Sequence, residues 1–109
     1  MGNGLSLMET TSTQMVTVLN RLGLHMRPAD MLVRTANRFQ CQIEIEKDGQ
    51  AVDCKSILGI LTLAASHGTH LSLRASGTDA VEAVQALSEL FAKSFNETDS
   101  EVVSPPASN

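Results

Sequence analysis

The chain has no tryptophan and no tyrosine, and its only aromatic side chains are three phenylalanines. Base-stacking platforms for nucleic acid are therefore missing. A basic footprint is missing too, since eight Lys and Arg stand against twelve Asp and Glu for a formal charge of −4, and no nucleic-acid partner is expected. No apolar run approaches the roughly 20 residues that span a bilayer, so no membrane insertion is expected. The N-terminus lacks the basic start and apolar stretch of a secretory leader, and a cytoplasmic location is expected. Cysteine is scarce: Cys41 and Cys54 form neither a CxxC motif nor a zinc spacing. They read as reduced, half-buried small hydrophobes. His67 and His70 could meet a metal only with further ligands that the sequence does not supply, so they read as solvated, and neither metal nor cofactor is expected.

What is present suits one modest globular core: 109 residues, of which 42% are hydrophobic. Residues 1–13 are rich in Gly, Ser and Thr without a sustained period, and residues 98–109 are polar and contain Pro105-Pro106. Both ends are expected to be disordered, leaving one domain over residues 14–97.

Inside that domain the hydrophobic period alternates. Met15 to Leu19 is β-prone. From Arg27 to about Arg38, Ala29, Leu32, Val33 and Ala36 fall at helical spacing, with Pro28 in the tolerant first turn. Cys41, Ile43 and Ile45 alternate with polar residues as a half-buried strand does. Asp48-Gly49 signals a hairpin into a short strand over 50–53. Ser56 is a plausible N-cap for a helix from Ile57 to about Ser66, its core side being Ile57, Ile60, Leu61 and Ala64, with Leu58, Gly59, Thr62 and Ala65 turned partly outward. Leu71, Leu73 and Ala75 give a fourth strand. Thr78 or Asp79 can cap a last helix carrying Val84, Leu87, Phe91 and Phe95 on one face, while Met15 and Met31 read as filler at the core edge. The order β-α-β-β-α-β-α predicts an α+β domain, an antiparallel sheet covered on one face by helices.

The chemistry concentrates in Leu22-Gly23-Leu24-His25-Met26-Arg27-Pro28-Ala29. Gly23 permits a tight turn at the strand end. His25 then lies just before a helix whose first backbone N–H groups have no partner within the helix, and these amides with the macrodipole make an anion site. A phosphoryl group on the imidazole would sit in that field, with Arg27 adding a fixed positive charge. The same field favours the neutral, nucleophilic ring over the imidazolium.

Gly23 to Ala29 resembles the active-site signature of the HPr family, the histidine phosphocarriers of the bacterial phosphoenolpyruvate:sugar phosphotransferase system. Lys55-Ser56-Ile57-Leu58-Gly59-Ile60-Leu61-Thr62-Leu63 resembles the second signature of that family, around its regulatory serine, and Asn20-Arg21-Leu22-Gly23 is similar to its nitrogen-related branch. The resemblance implies an open-faced β-sandwich with a four-stranded antiparallel sheet under three helices. It implies that His25, through Nδ1, accepts a phosphoryl group from phospho-Enzyme I and passes it to an EIIA domain in sugar uptake or regulation. Arg27 would steady the phosphoryl oxygens. The protein would then be a monomeric carrier and not an independent enzyme. Docking of partners is implied for the first two helices, through Met26, Leu58, Gly59 and Thr62. One departure is Met26, which stands where the family usually has a small residue. It offers no capping oxygen, so the amides stay free for phosphate, and its length can crowd or extend the partner surface.

For Ser56 the resemblance implies a second role beyond the cap, as a substrate of HPr kinase/phosphorylase; a phosphate there would add about two negative charges beside the docking surface. An alternative is a regulatory binding module of the same fold that acts by docking under control of Ser56, which the intact His25 and Arg27 argue against. A ferredoxin-like RNA or metal binder lacks both basic aromatic strands and a CxxC motif.

Overall fold

Along the chain the elements are β1 (Thr11–Thr17), α1 (Met26–Ala36), β2 (Gln42–Lys47), β3 (Gln50–Asp53), α2 (Ile57–Thr62), β4 (His70–Ser76) and α3 (Ala80–Ala92), followed by a 3-10 turn at Ser94–Asn96. The computed structural model describes residues 10–97. The strands form one sheet in the order β1-β4-β2-β3, with every neighbouring pair antiparallel. Strict alternation drives this arrangement: Ile43 and Ile45 in β2, and Leu71, Leu73 and Ala75 in β4, all face the core. Asp48 and Gly49 both take positive φ (50° and 86°), as a two-residue hairpin with right-twisted strands demands.

Helix α3 lies over β1 and β4, and α1 packs on both α2 and α3. The result is the expected α+β open-faced sandwich. Leu32 and Ala36 of α1, with Val84, Leu87 and Phe91 of α3, close the core against the sheet. At roughly 1.5–3 kcal/mol for each fully buried large aliphatic or aromatic side chain, this contact dominates the favourable side of folding.

Several expectations need correction. Strand β1 starts at Thr11: Thr11, Ser12 and Thr13, assigned from sequence to the N-terminal extension, pair with Ser76, Ala75 and Arg74. A strand ladder joins backbone groups whatever the polarity of the side chains, and the seven residues of β4 offer it a full template. The remainder of that extension, residues 1–9, and the expected tail, residues 98–109, lie outside the described residues. Met15 is not core filler but 64% exposed, because Val16 faces inward and its strand neighbour must face the open side. Met31 does pack against the core.

Helix α2 ends at Thr62, four residues early, and Ala64 adopts a left-handed conformation (φ 51°). That reversal exchanges two expected roles, leaving Ala64 exposed while Leu63 and Ala65 are buried. Phe95, expected on the stripe of the last helix, is buried but lies beyond the helix in the 3-10 turn. Both cysteines are fully rather than half buried. Burial pushes the Cys54 thiol up to about 12 and the Cys41 thiol up to about 11, which makes both poor nucleophiles at neutral pH.

Asp79 stands at the N-cap of α3 without capping it; instead it reaches the loop between α1 and β2. Its carboxylate accepts from the backbone N–H of Gln40 (2.9 Å) and of Cys41 (3.0 Å). These bonds, the one from Gln40 foremost, hold its carboxyl below the ordinary 3.8. A carboxyl lowered in the folded state stabilises above its unfolded value and loses that contribution as pH falls through the folded one. The stability gap between wild type and Asp79→Asn, read from urea midpoints, is therefore expected to be widest near pH 7 and to close below about pH 4. A gap of constant size down to pH 2 would remove this role.

Candidate functional site

The site is assembled where β1 runs into α1. Gly23 sits at φ +74°, and a Cβ there would lie 2.5 Å from the carbonyl oxygen of Ala65 and 2.9 Å from the Cα of Ser66. Only glycine fits this approach. It brings the chain close enough for the Leu24 N–H to donate to Ala65 O (2.9 Å), which ties the turn to the loop after α2. His25 follows in extended conformation as the N-cap of α1, and its side chain makes no capping bond. The first helical bond runs from the Ala29 N–H to the His25 carbonyl. The N–H groups of Met26 and Arg27 thus have no partner four residues back, and Pro28 has no N–H to satisfy.

The His25 side chain is 35% exposed, and its Nε2 lies 3.0 Å from Oε2 of Glu97, whose own side chain is only 5% exposed. The other Glu97 oxygen accepts from Nδ2 of Asn20 (3.1 Å), which also donates to the Gly23 carbonyl (2.7 Å). No described residue hydrogen-bonds His25 Nδ1. Arg27, two residues along, is exposed and makes no hydrogen bond or ion pair with the described residues. A half-exposed ring with one nitrogen held and no described partner on the other, at the N-cap of a helix and two residues before an exposed arginine, can hold an anion on that second nitrogen.

Ser56 is the N-cap of α2, and its Oγ accepts from the Gly59 N–H at 3.0 Å. A Cβ on Gly59 would come within 3.3 Å of that oxygen and of the Val52 Cβ. Leu58 is 75% exposed, Met26 is also exposed, and Thr62 is exposed with its hydroxyl donating to the Gly59 carbonyl; Gly59 itself is half-buried. Helix α1, which His25 caps, packs on α2, which carries Leu58, Gly59 and Thr62. His70 is exposed and its Nδ1 lies 3.0 Å from the Thr17 hydroxyl; among the described residues no group of three or more His, Cys, Asp or Glu could hold a metal ion.

Glu97 is the residue that sequence reasoning missed. It lies 72 positions from His25, at the end of the expected domain, and no local pattern links the two. The fold and site together define a class of protein, an open-faced β-sandwich that presents an imidazole at the open N-terminus of a helix.

Comparison with known proteins makes the class specific. The family model for the PTS HPr component phosphorylation site matches residues 12–93. The phosphocarrier protein HPr of Xylella fastidiosa (strain Temecula1) is 48% identical over 82 residues, covering 75% of this chain and 92% of that protein. The crystal structure of HPr-C-His from Thermoanaerobacter tengcongensis matches with TM-score 0.77 at 41% identity, over 80% of this chain and 98% of that one. An HPr dimer from the same organism matches with TM-score 0.65 at 44% identity, over 75% and 94%. The chain belongs to the HPr family of the phosphotransferase system. It is a phosphocarrier protein and not an independent catalyst.

The contact at Gly23 gives a sharp test of the site's construction. Gly23→Ala combines left-handed strain with a backbone clash and is expected to cost about 3 kcal/mol in urea unfolding. Gly49→Ala, at φ +86° with nothing within 4 Å, should cost about 1 kcal/mol. Equal losses would show that the approach to Ala65 is not the constraint.

Proposed function

We propose that His25 accepts a phosphoryl group on Nδ1 from phospho-Enzyme I and passes it to an EIIA domain, in sugar uptake or regulation. The observation that carries this reading is the asymmetry of the ring at the N-cap of α1: Nε2 is held by Glu97, while Nδ1 has no hydrogen-bond partner among the described residues. In the transfer, the Nδ1 lone pair attacks phosphorus as the donor's bond to the phosphoryl group breaks. The electron pair leaves with the donor and nothing is oxidised. The N–H groups of Met26 and Arg27 and the Arg27 guanidinium would share the charge of the phosphoryl oxygens. Delivery to the next carrier reverses the step.

Met26, Leu58, Gly59 and Thr62 are proposed as the docking surface, since an apolar patch beside a reactive group suits brief association. A cytoplasmic location is proposed with this role. Its working form is proposed to be a monomer, which light scattering at the mass of one chain checks. The docking-only module of the same fold is not favoured, because His25 and Arg27 are both in place.

Ser56 is proposed as a regulatory site for HPr kinase/phosphorylase. A phosphate there would replace the hydroxyl that caps Gly59 and set about two negative charges beside Leu58.

Incubation with Enzyme I and phosphoenolpyruvate should give an acid-labile, alkali-stable label that His25→Ala abolishes and Ser56→Ala leaves intact. Arg27→Ala should slow labelling by about tenfold, the worth of one charge-assisted hydrogen bond. Label surviving in His25→Ala would reject the assignment. A separate incubation with HPr kinase and ATP should give acid-stable label that Ser56→Ala removes; without it, Ser56 is a cap alone.

A further inference from the structure

Phosphoryl transfer to Nδ1 leaves two needs that the helix mouth does not meet. One is a fixed ring with its proton on the other nitrogen. The second is an answer to the positive charge that spreads over the ring when the Nδ1 lone pair is committed to phosphorus. The end of the described chain supplies both. An ionised carboxylate can only accept hydrogen bonds, so the 3.0 Å contact from Glu97 places a proton on His25 Nε2. A neutral ring then carries its free pair on Nδ1.

Glu97 is itself held. Asn20 is 4% exposed, and its amide nitrogen serves both Glu97 Oε1 and the Gly23 carbonyl, while its Oδ1 is buried with no partner among the described residues. A buried acceptor left without a partner is destabilising, so this amide is kept for its two donated bonds and not for its own satisfaction. From the opposite side the backbone is bent to deliver the carboxylate. Ser94, Phe95 and Asn96 are all left-handed (φ 52°, 55° and 61°), a conformation unfavourable for residues with a Cβ. The bend is pinned by Phe95, fully buried and edge-on to Phe91 with ring centroids 4.9 Å apart. Backbone strain, burial of Phe95 and the Asn20 amide thus converge on one carboxylate, whose two oxygens meet Asn20 and His25 separately.

We infer that Glu97, oriented by Asn20, is a positioning residue for transfer at His25: it fixes the Nε2–H form of the ring and offsets the charge that develops there. The arrangement has the logic of a carboxylate behind a catalytic imidazole, orienting the ring without itself exchanging a proton. The inference rests on the phosphocarrier reading above.

Two substitutions separate orientation from charge. Glu97→Ala removes both, whereas Glu97→Gln keeps an oxygen that accepts from Nε2–H and removes only the charge. With the ring neutral, ¹⁵N spectra of the imidazole should show Nε2–H in wild type and in Glu97→Gln, and a mixture of tautomers in Glu97→Ala. The rate of labelling by Enzyme I and phosphoenolpyruvate should fall about tenfold in Glu97→Ala, the worth of one charge-assisted hydrogen bond, with Glu97→Gln between that and wild type and the KM for the carrier unchanged. A purely structural tether would alter the melting temperature but neither the tautomer nor the rate. Glu97→Ala with wild-type ring signals, or with wild-type rate, overturns the inference. Label that persists in His25→Ala overturns the phosphocarrier reading instead, so the two failures are distinct.

Discussion

The hydrogen bond from the Leu24 N–H to the Ala65 carbonyl organises the working end of the molecule. It closes only because Gly23 has no side chain to strike that same carbonyl. Once closed, it fixes the direction in which the chain enters α1 and sets His25 at the mouth of that helix. It also anchors the segment after α2, where Ala64 turns left-handed so that Ala65 can face inward and offer its carbonyl. The early end of α2 and the placement of His25 are thus two consequences of one contact. Backbone groups must be paired when buried, and here the pairing defines a site.

The opposite wall of the site comes from the far end of the described chain. Ser94 and Phe95 are each disfavoured in the left-handed region by roughly 1–2 kcal/mol, while Asn96 tolerates it. Burial of Phe95 against Phe91 offsets that cost, a large aromatic in a dry core contributing on the order of 3 kcal/mol. The consequence is local and chemical: Glu97 arrives with its carboxylate almost wholly shielded from water, where its interaction with an imidazole is stronger than in solvent. Packing energy from the core is in this way converted into the geometry of a polar contact.

How much of this was legible in the sequence follows from distance along the chain. Ile43, Ile45, Leu71, Leu73 and Ala75 announce their strands through local alternation, and Asp48-Gly49 announces its hairpin through the φ it tolerates. His25, Met26, Arg27 and Pro28 form a constellation inside one turn of helix, so their joint meaning could be read from spacing. The end of α2 could not, because nothing in Leu63-Ala64-Ala65 shows that a carbonyl is required elsewhere by Leu24. Thr11 to Thr13 look like a polar extension, and only the free edge of β4 makes them a strand. Glu97 illustrates the limit most clearly: its partners, Asn20 and His25, are 77 and 72 positions away, and the turn that carries it contradicts the intrinsic preference of Ser94 and Phe95.

The two helix starts differ in a way that explains why phosphoryl transfer is proposed at one and regulation at the other. At α2 the Ser56 hydroxyl already satisfies the Gly59 amide, so that end is closed by its own cap. At α1 the N-cap is a histidine whose side chain turns away from its helix toward Glu97, and Met26 has no oxygen with which to substitute. Among the described residues the first amides of α1 therefore have no capping acceptor, and the exposed Arg27 makes no ion pair. In a chain whose formal charge is −4, such a local excess of donors is conspicuous. Under the proposed function the acceptor comes from outside, as the phosphoryl group taken up at His25.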